Sequence, residues 1–302
     1  MKKSLVSLLA GSVLAAVALA DVESTVAHWS FDASTLTTIG GEIRGVADLT
    51  GTHNASPGSG LGAAGLSSNP IPTSNSIAGQ FGEGLSLTGF NTAGGGGGQF
   101  LMFPELTEIM AVSGAPSYTV SMWVNTAATA FNVFTDLSSW GNSSTTPGRF
   151  TYGFGPSGAS QMRAQTRFDA GANGTDIFAR SVATPTPLNN ASWHMLSWTF
   201  DPGSKVLKSY FDGALLETFT STAANTQMVT GSSASGTLGF KGDSGNFLNG
   251  TFAFDEMYVF RGAASDAEIQ NLYALNVIPE PNSMALGAAG ASLMGILRRR
   301  RR

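Results

Sequence analysis

Carboxylates and one serine-containing string are the residues of this sequence that could act in catalysis. Glu105 and Glu108 are three positions apart, Asp255 and Glu256 are adjacent, and residues 242–245 read Gly-Asp-Ser-Gly. Glycoside hydrolysis needs two carboxyl groups facing one cleft, whereas adjacent residues of a strand face opposite sides of a sheet. A cluster of Gly, Asp and Ser between strands is typical of a hairpin loop. The spacing therefore predicts no catalytic site, and we interpret the protein as a non-enzyme.

The three histidines and one tryptophan are candidate binding residues. His28, His53 and His194 are the three histidines, and no two of them have the spacing of a zinc-binding pair. Trp140 lies in a loop-like stretch between predicted strands, where an exposed indole could stack on a sugar ring. A half-buried tryptophan that only packs its loop is the alternative. We predict Trp140 as the ligand contact.

The N-terminal segment has the pattern of a secretory signal peptide. Lys2 and Lys3 precede an apolar stretch at residues 5–18, and Ala18-Leu19-Ala20 has the small-x-small form that signal peptidase accepts. The pattern predicts cleavage between Ala20 and Asp21. Residues 1–20 are therefore predicted to be a signal peptide, and the rest of the chain is predicted to be exported.

The C-terminal segment combines Pro279-Glu280-Pro281, an apolar run at residues 284–297 and five arginines at residues 298–302. At about 1.5 Å per residue, a helix of this run is shorter than the roughly 30 Å hydrocarbon core of a bilayer. The arrangement resembles the PEP-CTERM sorting signal. A lone tail-anchored helix is the alternative, but it gives the Pro-Glu-Pro string no role. The resemblance implies processing by an exosortase-type enzyme, at least transient membrane contact, and a location in the bacterial cell envelope, on the cell surface or in the extracellular matrix.

The charge of the body differs from that of the whole chain. The chain has 16 Lys and Arg against 20 Asp and Glu, but seven basic residues lie in the two terminal segments. An acidic body argues against nucleic acid as a partner, since its binding requires a basic patch.

Hydrophobic alternation between the two ends indicates an all-β protein. Short alternating runs separated by Gly, Pro, Asn and Ser predict strands at residues 27–31, 85–87, 117–125, 131–137, 150–154, 161–168, 193–200, 205–211, 237–240 and 252–260. Asp212-Gly213 predicts a two-residue hairpin turn. Residues 265–275 predict one short helix, because Ser265 can cap it with Glu268 three positions on. The Gly- and Ser-rich stretches at residues 56–79 and 94–98 predict flexible surface loops.

Several strings, taken in order, resemble the LamG-like, concanavalin A-like jelly roll. They are His28-Trp29-Ser30-Phe31-Asp32, residues 48–54 (Asp-Leu-Thr-Gly-Thr-His-Asn), residues 80–85, the strand at 118–124, Trp193-His194-Met195-Leu196, Tyr210-Phe211-Asp212-Gly213, and the closing string at residues 254–260 with the helix behind it. The resemblance spans about residues 26–275. It implies a two-sheet antiparallel sandwich at residues 21–276, between an N-terminal signal helix and a C-terminal membrane-anchor helix in the sorting segment at 277–302.

The resemblance also suggests a metal site. In such sandwiches the first and last strands often lie close together, so Asp255 could face the loop that holds Asp48. Ca²⁺ requires six to eight oxygen ligands. We therefore predict a calcium site formed by Asp48, Asn54 and Asp255, with Thr50 contributing its carbonyl and Asp32 as a further member. The alternative is that Asp48 and Asn54 only hold a turn.

The function predicted from these features is that of an exported, non-catalytic binding or structural protein that engages an extracellular polysaccharide or glycoprotein. The carbohydrate part of this prediction rests on analogy at the level of the fold. A polysaccharide-active hydrolase or lyase with catalytic residues of unfamiliar spacing is the alternative.

Overall fold

A computed structural model describes the body of the chain in ten segments: residues 22–59, 67–90, 97–109, 116–128, 133–139, 149–155, 158–167, 177–222, 235–241 and 246–276. Both predicted terminal segments, with Ala20, Asp21 and Pro279-Glu280-Pro281, lie outside the described residues, as does Trp140. None of the helices in the described segments has the length and apolar character needed to span a bilayer.

The described segments contain twenty strands and one α-helix. The first nine strands are β1 Ser24–Trp29, β2 Leu36–Ile39, β3 Glu42–Val46, β4 Ser56–Pro57, β5 Ser76–Ala78, β6 Glu83–Phe90, β7 Gly97–Gly98, β8 Leu101–Phe103 and β9 Tyr118–Thr126. The other strands are β10 Val133–Ser139, β11 Arg149–Gly155, β12 Gly158–Arg167, β13 Ile177–Ala183, β14 His194–Asp201, β15 Val206–Phe211, β16 Ala214–Thr220, β17 Ser235–Leu238, β18 Phe240–Lys241, β19 Asn246–Phe247 and β20 Gly250–Arg261. Helix α1 spans Asp266–Leu275.

Two large antiparallel sheets form the sandwich. The nine-stranded sheet has the order β16-β15-β14-β9-β20-β6-β5, with β1 paired to β20 and β7 paired to β6. The seven-stranded sheet has the order β13-β12-β11-β10-β17-β8-β4. All ten predicted strands overlap observed ones, so the all-β sandwich prediction is confirmed.

The main core lies between the two sheets. Alternate residues of β9 (Tyr118, Val120, Met122 and Val124) belong to it, as expected for a strand with one face on the core. The opposite face of β9 is also covered, because Trp123 belongs to a second cluster. As the sequence predicts, β9 is therefore a central strand that is buried on both sides.

Helix α1 packs on the outer face of the nine-stranded sheet and covers part of it. Ile269 and Leu272 of the helix are buried with Trp123, Met195 and other residues of the second cluster. Ser265 and Glu268 form the predicted capping box at the start of the helix. At about 1.5 Å per residue the helix is only roughly 15 Å long, so it covers one end of the central strands and leaves the other end open.

The structure corrects one sequence prediction about a loop and confirms another about a turn. The stretch at residues 56–79 is not simply a surface loop, because β4 and β5 lie within it and Ile71 is fully buried, with its carbonyl accepting a hydrogen bond from the Ile43 amide. The prediction failed because a few isolated apolar residues in a Gly/Ser-rich stretch give little periodic signal. The predicted hairpin turn is present, with φ of 49° at Asp212 and 78° at Gly213.

Candidate functional site

The Asp48 side chain organises the loop after β3. Its Oδ1 accepts hydrogen bonds from the backbone amides of His28 at 2.8 Å and Thr50 at 3.0 Å. Its Oδ2 accepts from the amides of Thr52 at 3.2 Å and His53 at 2.9 Å, and from the Thr50 hydroxyl. Four backbone amides and one hydroxyl therefore already share this buried carboxylate.

The other predicted ligands of this loop bond to the same network. The Asn54 amide oxygen accepts a hydrogen bond from the Asp48 backbone amide at 2.9 Å. Burial by itself raises the pKa of Asp48, but hydrogen bonds from His53, His28 and Thr50 outweigh it, so the pKa lies well below its usual range. The same contact with Asp48 raises the pKa of His53. The carboxylate is thus held ionised by the loop that it stabilises.

Asp255, on β20, has a different environment. It is fully buried, and its Oδ2 accepts one hydrogen bond from the Phe81 amide at 2.8 Å. Among the described residues, its Oδ1 forms no hydrogen bond, and neither does the buried indole Nε1 of Trp123, its cross-strand partner. Burial, opposed by the Phe81 amide and reinforced by the Glu256 carboxylate, raises the pKa of Asp255 to about 7.

A β-bulge separates Asp255 from Tyr258 in the pairing of β20 with β9, and Glu256 within it has φ of 48°. Glu256 Oε2 lies 2.5 Å from His28 Nε2, and the His28 ring stacks on Tyr258 with centroids 3.9 Å apart. Tyr258 belongs to the second cluster and Phe81 packs against it, so both carboxylates lie beside this cluster. The expectation that adjacent Asp255 and Glu256 would face opposite sides is therefore wrong, because the bulge interrupts the alternation.

The four predicted calcium ligands form two groups in the structure. Asp48, Thr50 and Asn54 lie in one hydrogen-bonded loop, whereas Asp255 bonds to the turn between β5 and β6. Asp32, the further predicted member, accepts a hydrogen bond from the Glu83 amide at 3.0 Å. Across the described segments, no group of three His, Asp or Glu residues is arranged to hold a metal ion. The calcium site stays a prediction.

A groove of about 710 Å³ lies on the outer face of the nine-stranded sheet, on the part that α1 leaves open. Its floor includes Ser86, Ala253 and Asn125, which pair with one another across β6, β20 and β9. Thr251 lies in the next outward-facing row, and Ile77 of β5 forms part of a wall. Every described residue that lines the groove is uncharged, and its volume lies in the range of ligand pockets.

The side chain of Trp193 lies one row beyond the groove floor on the side nearer α1, and it is not among the described residues that line the groove. Cη2 of Trp193 lies 3.2 Å from the position that a Cβ on Gly84 would occupy, and Gly84 is one outward-facing step along β6 from Ser86. Phe81 packs edge-on against Trp123, with ring centroids 5.7 Å apart. Trp193 and Phe81 are both partly exposed. In the sequence, Trp193 is predicted only as the start of a strand. The contact between its indole and the distant Gly84 has no local sequence signal.

The two ends of the described body meet helix α1. The Val22 amide donates to Glu268 Oε1 at 3.3 Å, and Val22 is buried in the second cluster. At the other end, the Asn276 carbonyl accepts a hydrogen bond from the Tyr258 hydroxyl at 3.2 Å. The chain is therefore anchored to the sandwich directly after the predicted cleavage site and directly before the sorting segment.

Two family models match the sequence. One, described as the concanavalin A-like lectin/glucanases superfamily, matches residues 95–270. The other, the PEP-CTERM protein-sorting motif, matches residues 277–302. No curated protein is significantly similar to this sequence.

Solved structures resemble the fold at low sequence identity. Domain 4 of AbnA, an extracellular arabinanase from Geobacillus stearothermophilus solved with arabinotriose, has a TM-score of 0.52 and 17% identity over 83% of this chain and 99% of that one. The binding domain of Botulinum Neurotoxin DC, in complex with SialylT, has a TM-score of 0.51 and 12% identity over 83% of this chain. The chain spans 51% of that toxin chain. These likenesses establish the fold.

Proposed function

The chain belongs to the concanavalin A-like lectin/glucanases superfamily and carries a PEP-CTERM sorting motif, and on this premise we propose that it is a non-catalytic binding protein. The sorting motif marks it as a protein exported to the bacterial cell envelope. Its ligand is a carbohydrate or a glycoprotein outside the cell, and an exosortase-type enzyme processes its tail.

The observation that carries this proposal is the groove on the outer face of the nine-stranded sheet. Hydroxyl, amide and methyl groups line it, and the partly exposed indole of Trp193 lies one row beyond its floor. Such a surface can hydrogen-bond sugar hydroxyls and pack against the apolar faces of sugar rings. Glycoside hydrolysis would instead use two carboxyl groups facing one cleft.

Relatives of the same fold support binding as the activity. AbnA domain 4 was solved with arabinotriose, and the neurotoxin chain is itself named a binding domain. Because identity to both is below a fifth, these names support the class of activity and leave the ligand open.

The test is co-sedimentation of the purified exported protein with exopolysaccharide from its host, together with an assay for new reducing ends or unsaturated sugars. We expect the protein to sediment with the polysaccharide and the polysaccharide to keep its length. Release of new chain ends would instead support the hydrolase or lyase alternative, and failure to sediment with any envelope polysaccharide or glycoprotein would contradict binding.

A further inference from the structure

We propose that the groove over β6, β20 and β9 is the ligand site and that it binds a segment of neutral polysaccharide, with Trp193 stacking a sugar ring at its end. This inference rests on the proposed function and adds to it the site and the chemical class of the ligand.

The floor of the groove is built from three rows of outward-facing residues. The row nearest α1 contains Asp255 paired with Trp123, and it is covered by the second cluster. The next row is Ser86, Ala253 and Asn125, and the row after it pairs Thr88 with Thr251. From the first row to the third, the face changes from aromatic and covered to small, polar and open.

Small side chains make the groove deep enough for a sugar and leave groups that can bond to it. The Ala253 methyl group sits between the Ser86 hydroxyl and the Asn125 amide, so both polar groups border the same space. Asn125 uses its amide nitrogen to bond the Ala191 carbonyl at 3.2 Å, which orients the side chain. A hydroxyl group and an oriented amide group around an apolar centre suit a ligand that carries many hydroxyls on an apolar ring.

Charge selects a neutral ligand. All the described lining residues are uncharged, whereas the chain as a whole has a formal net charge of −4. The described lining of the groove therefore offers no cation to a carboxylated or sulfated polymer, and the acidic protein repels such a polymer at low salt. A neutral glycan meets neither obstacle.

Trp193 supplies the aromatic surface at the end of the groove. Its indole reaches over Gly84, where a Cβ would lie 3.2 Å from Cη2 and 2.8 Å from the Phe254 carbonyl oxygen. The glycine thus allows the indole to lie on the sheet beside the Ser86 row. Ala191, two residues earlier in the same connection, lines the groove, which places both on one side of it.

The test compares groove variants of the complete exported protein on an array of neutral glucan, mannan and arabinan oligosaccharides and of alginate and polygalacturonate oligosaccharides. Thr251 is exposed, so Thr251→Trp should fill the groove without disturbing the core. We expect Thr251→Trp to lose at least tenfold in affinity for the neutral glycan that the natural protein binds. Binding of that glycan by the natural protein should change little between low and high salt. Trp193→Ala should also weaken binding, while Trp193→Phe should retain most of it.

The matched control is Thr220→Trp, an exposed threonine on β16 at the opposite edge of the same sheet. It should bind like the natural protein, and melting temperatures should show that every variant is folded. Unchanged glycan binding by Thr251→Trp, or binding confined to the uronate oligosaccharides, would overturn the groove proposal while leaving carbohydrate binding intact. Absence of binding to every glycan of the array by the natural protein would overturn the groove proposal, and the co-sedimentation experiment then decides separately whether the proposed function also fails.

Discussion

Asp48 and Asp255 are two buried aspartates assigned to one calcium site from the sequence, and the structure gives them opposite environments. Asp48 accepts hydrogen bonds from four backbone amides, and its pKa is lowered. Asp255 has one oxygen that accepts a hydrogen bond from Phe81 and one that forms none in the described part of the chain, and its pKa is raised. The comparison teaches that burial alone does not decide the charge of a carboxyl group, because the number of donors aimed at it decides whether burial is offset.

Replacement of Asp48 should have the largest effect on stability. Asp48→Ala leaves the amides of His28, Thr50, Thr52 and His53 without their acceptor. We expect the free energy of unfolding to fall by about 3 to 5 kcal/mol, since buried donors lose their partners together. Chemical denaturation at pH 7 measures this, and a loss below about 1 kcal/mol would contradict the role of Asp48 in the loop.

The pH dependence of the two aspartates should have opposite signs. The pKa of Asp255 is raised from 3.8 to about 7, so between these values the folded protein holds a proton that the unfolded chain releases. Its contribution to stability therefore falls as pH rises from about 4 to 7. For Asp48 the folded pKa is lowered, so its contribution is present above pH 4 and is lost as pH falls further.

Asp255→Asn isolates the first of these effects. The variant should be more stable than the natural protein by about 1 to 3 kcal/mol at pH 8, because the buried charge is gone, and should differ much less at pH 4, where the unfolded chain still holds part of its proton. Denaturation curves at the two pH values give this difference directly. An equal stability difference at both pH values would mean that the pKa of Asp255 in the folded protein is not raised above its usual value.

Two glycines, one beside each aspartate, allow a second comparison with smaller expected losses of stability. A Cβ on Gly79 would lie 2.5 Å from Asp255 Oδ2 and 2.8 Å from the Glu83 backbone, so Gly79→Ala must displace the carboxylate from Phe81. Gly51, in the Asp48 loop, has free space around it but φ of +88°. We expect Gly79→Ala to cost about 2 kcal/mol and Gly51→Ala about 1 kcal/mol. Thermal unfolding of both variants checks the order, and the reverse order would contradict the tight packing at Asp255.

Calcium should produce the smallest effect. Millimolar Ca²⁺ is expected to raise the melting temperature by less than about 2 °C, because Asp48 would have to exchange amide hydrogen bonds for the ion. Thermal unfolding with CaCl₂ or a chelator measures this. A larger shift that Asp48→Asn abolishes would support the site predicted at Asp48, Thr50, Asn54 and Asp255.

More of the secondary structure than of the candidate site could be predicted from the sequence. Strands with strong alternation, such as β9 and β20, and the capped helix α1 were predicted because their signals are local. The short strands β4, β5 and β7 were missed, since two or three residues in a Gly/Ser-rich stretch carry no periodicity. Trp193 was missed as a groove residue because its position depends on Gly84, which lies more than a hundred positions away in the chain.

The sequence by itself determined the class of sandwich, the family and the export of the protein to the cell envelope. Hydrophobic alternation, turn residues and the sorting motif can each be recognised within a few neighbouring residues. The tertiary structure decided which residues share a surface. Ser86, Asn125 and Ala253 meet only through the register of three strands that are distant in the chain, and the bulge at Glu256 turns two neighbouring carboxylates toward one cluster. Register and bulges follow from how the strands pair and pack.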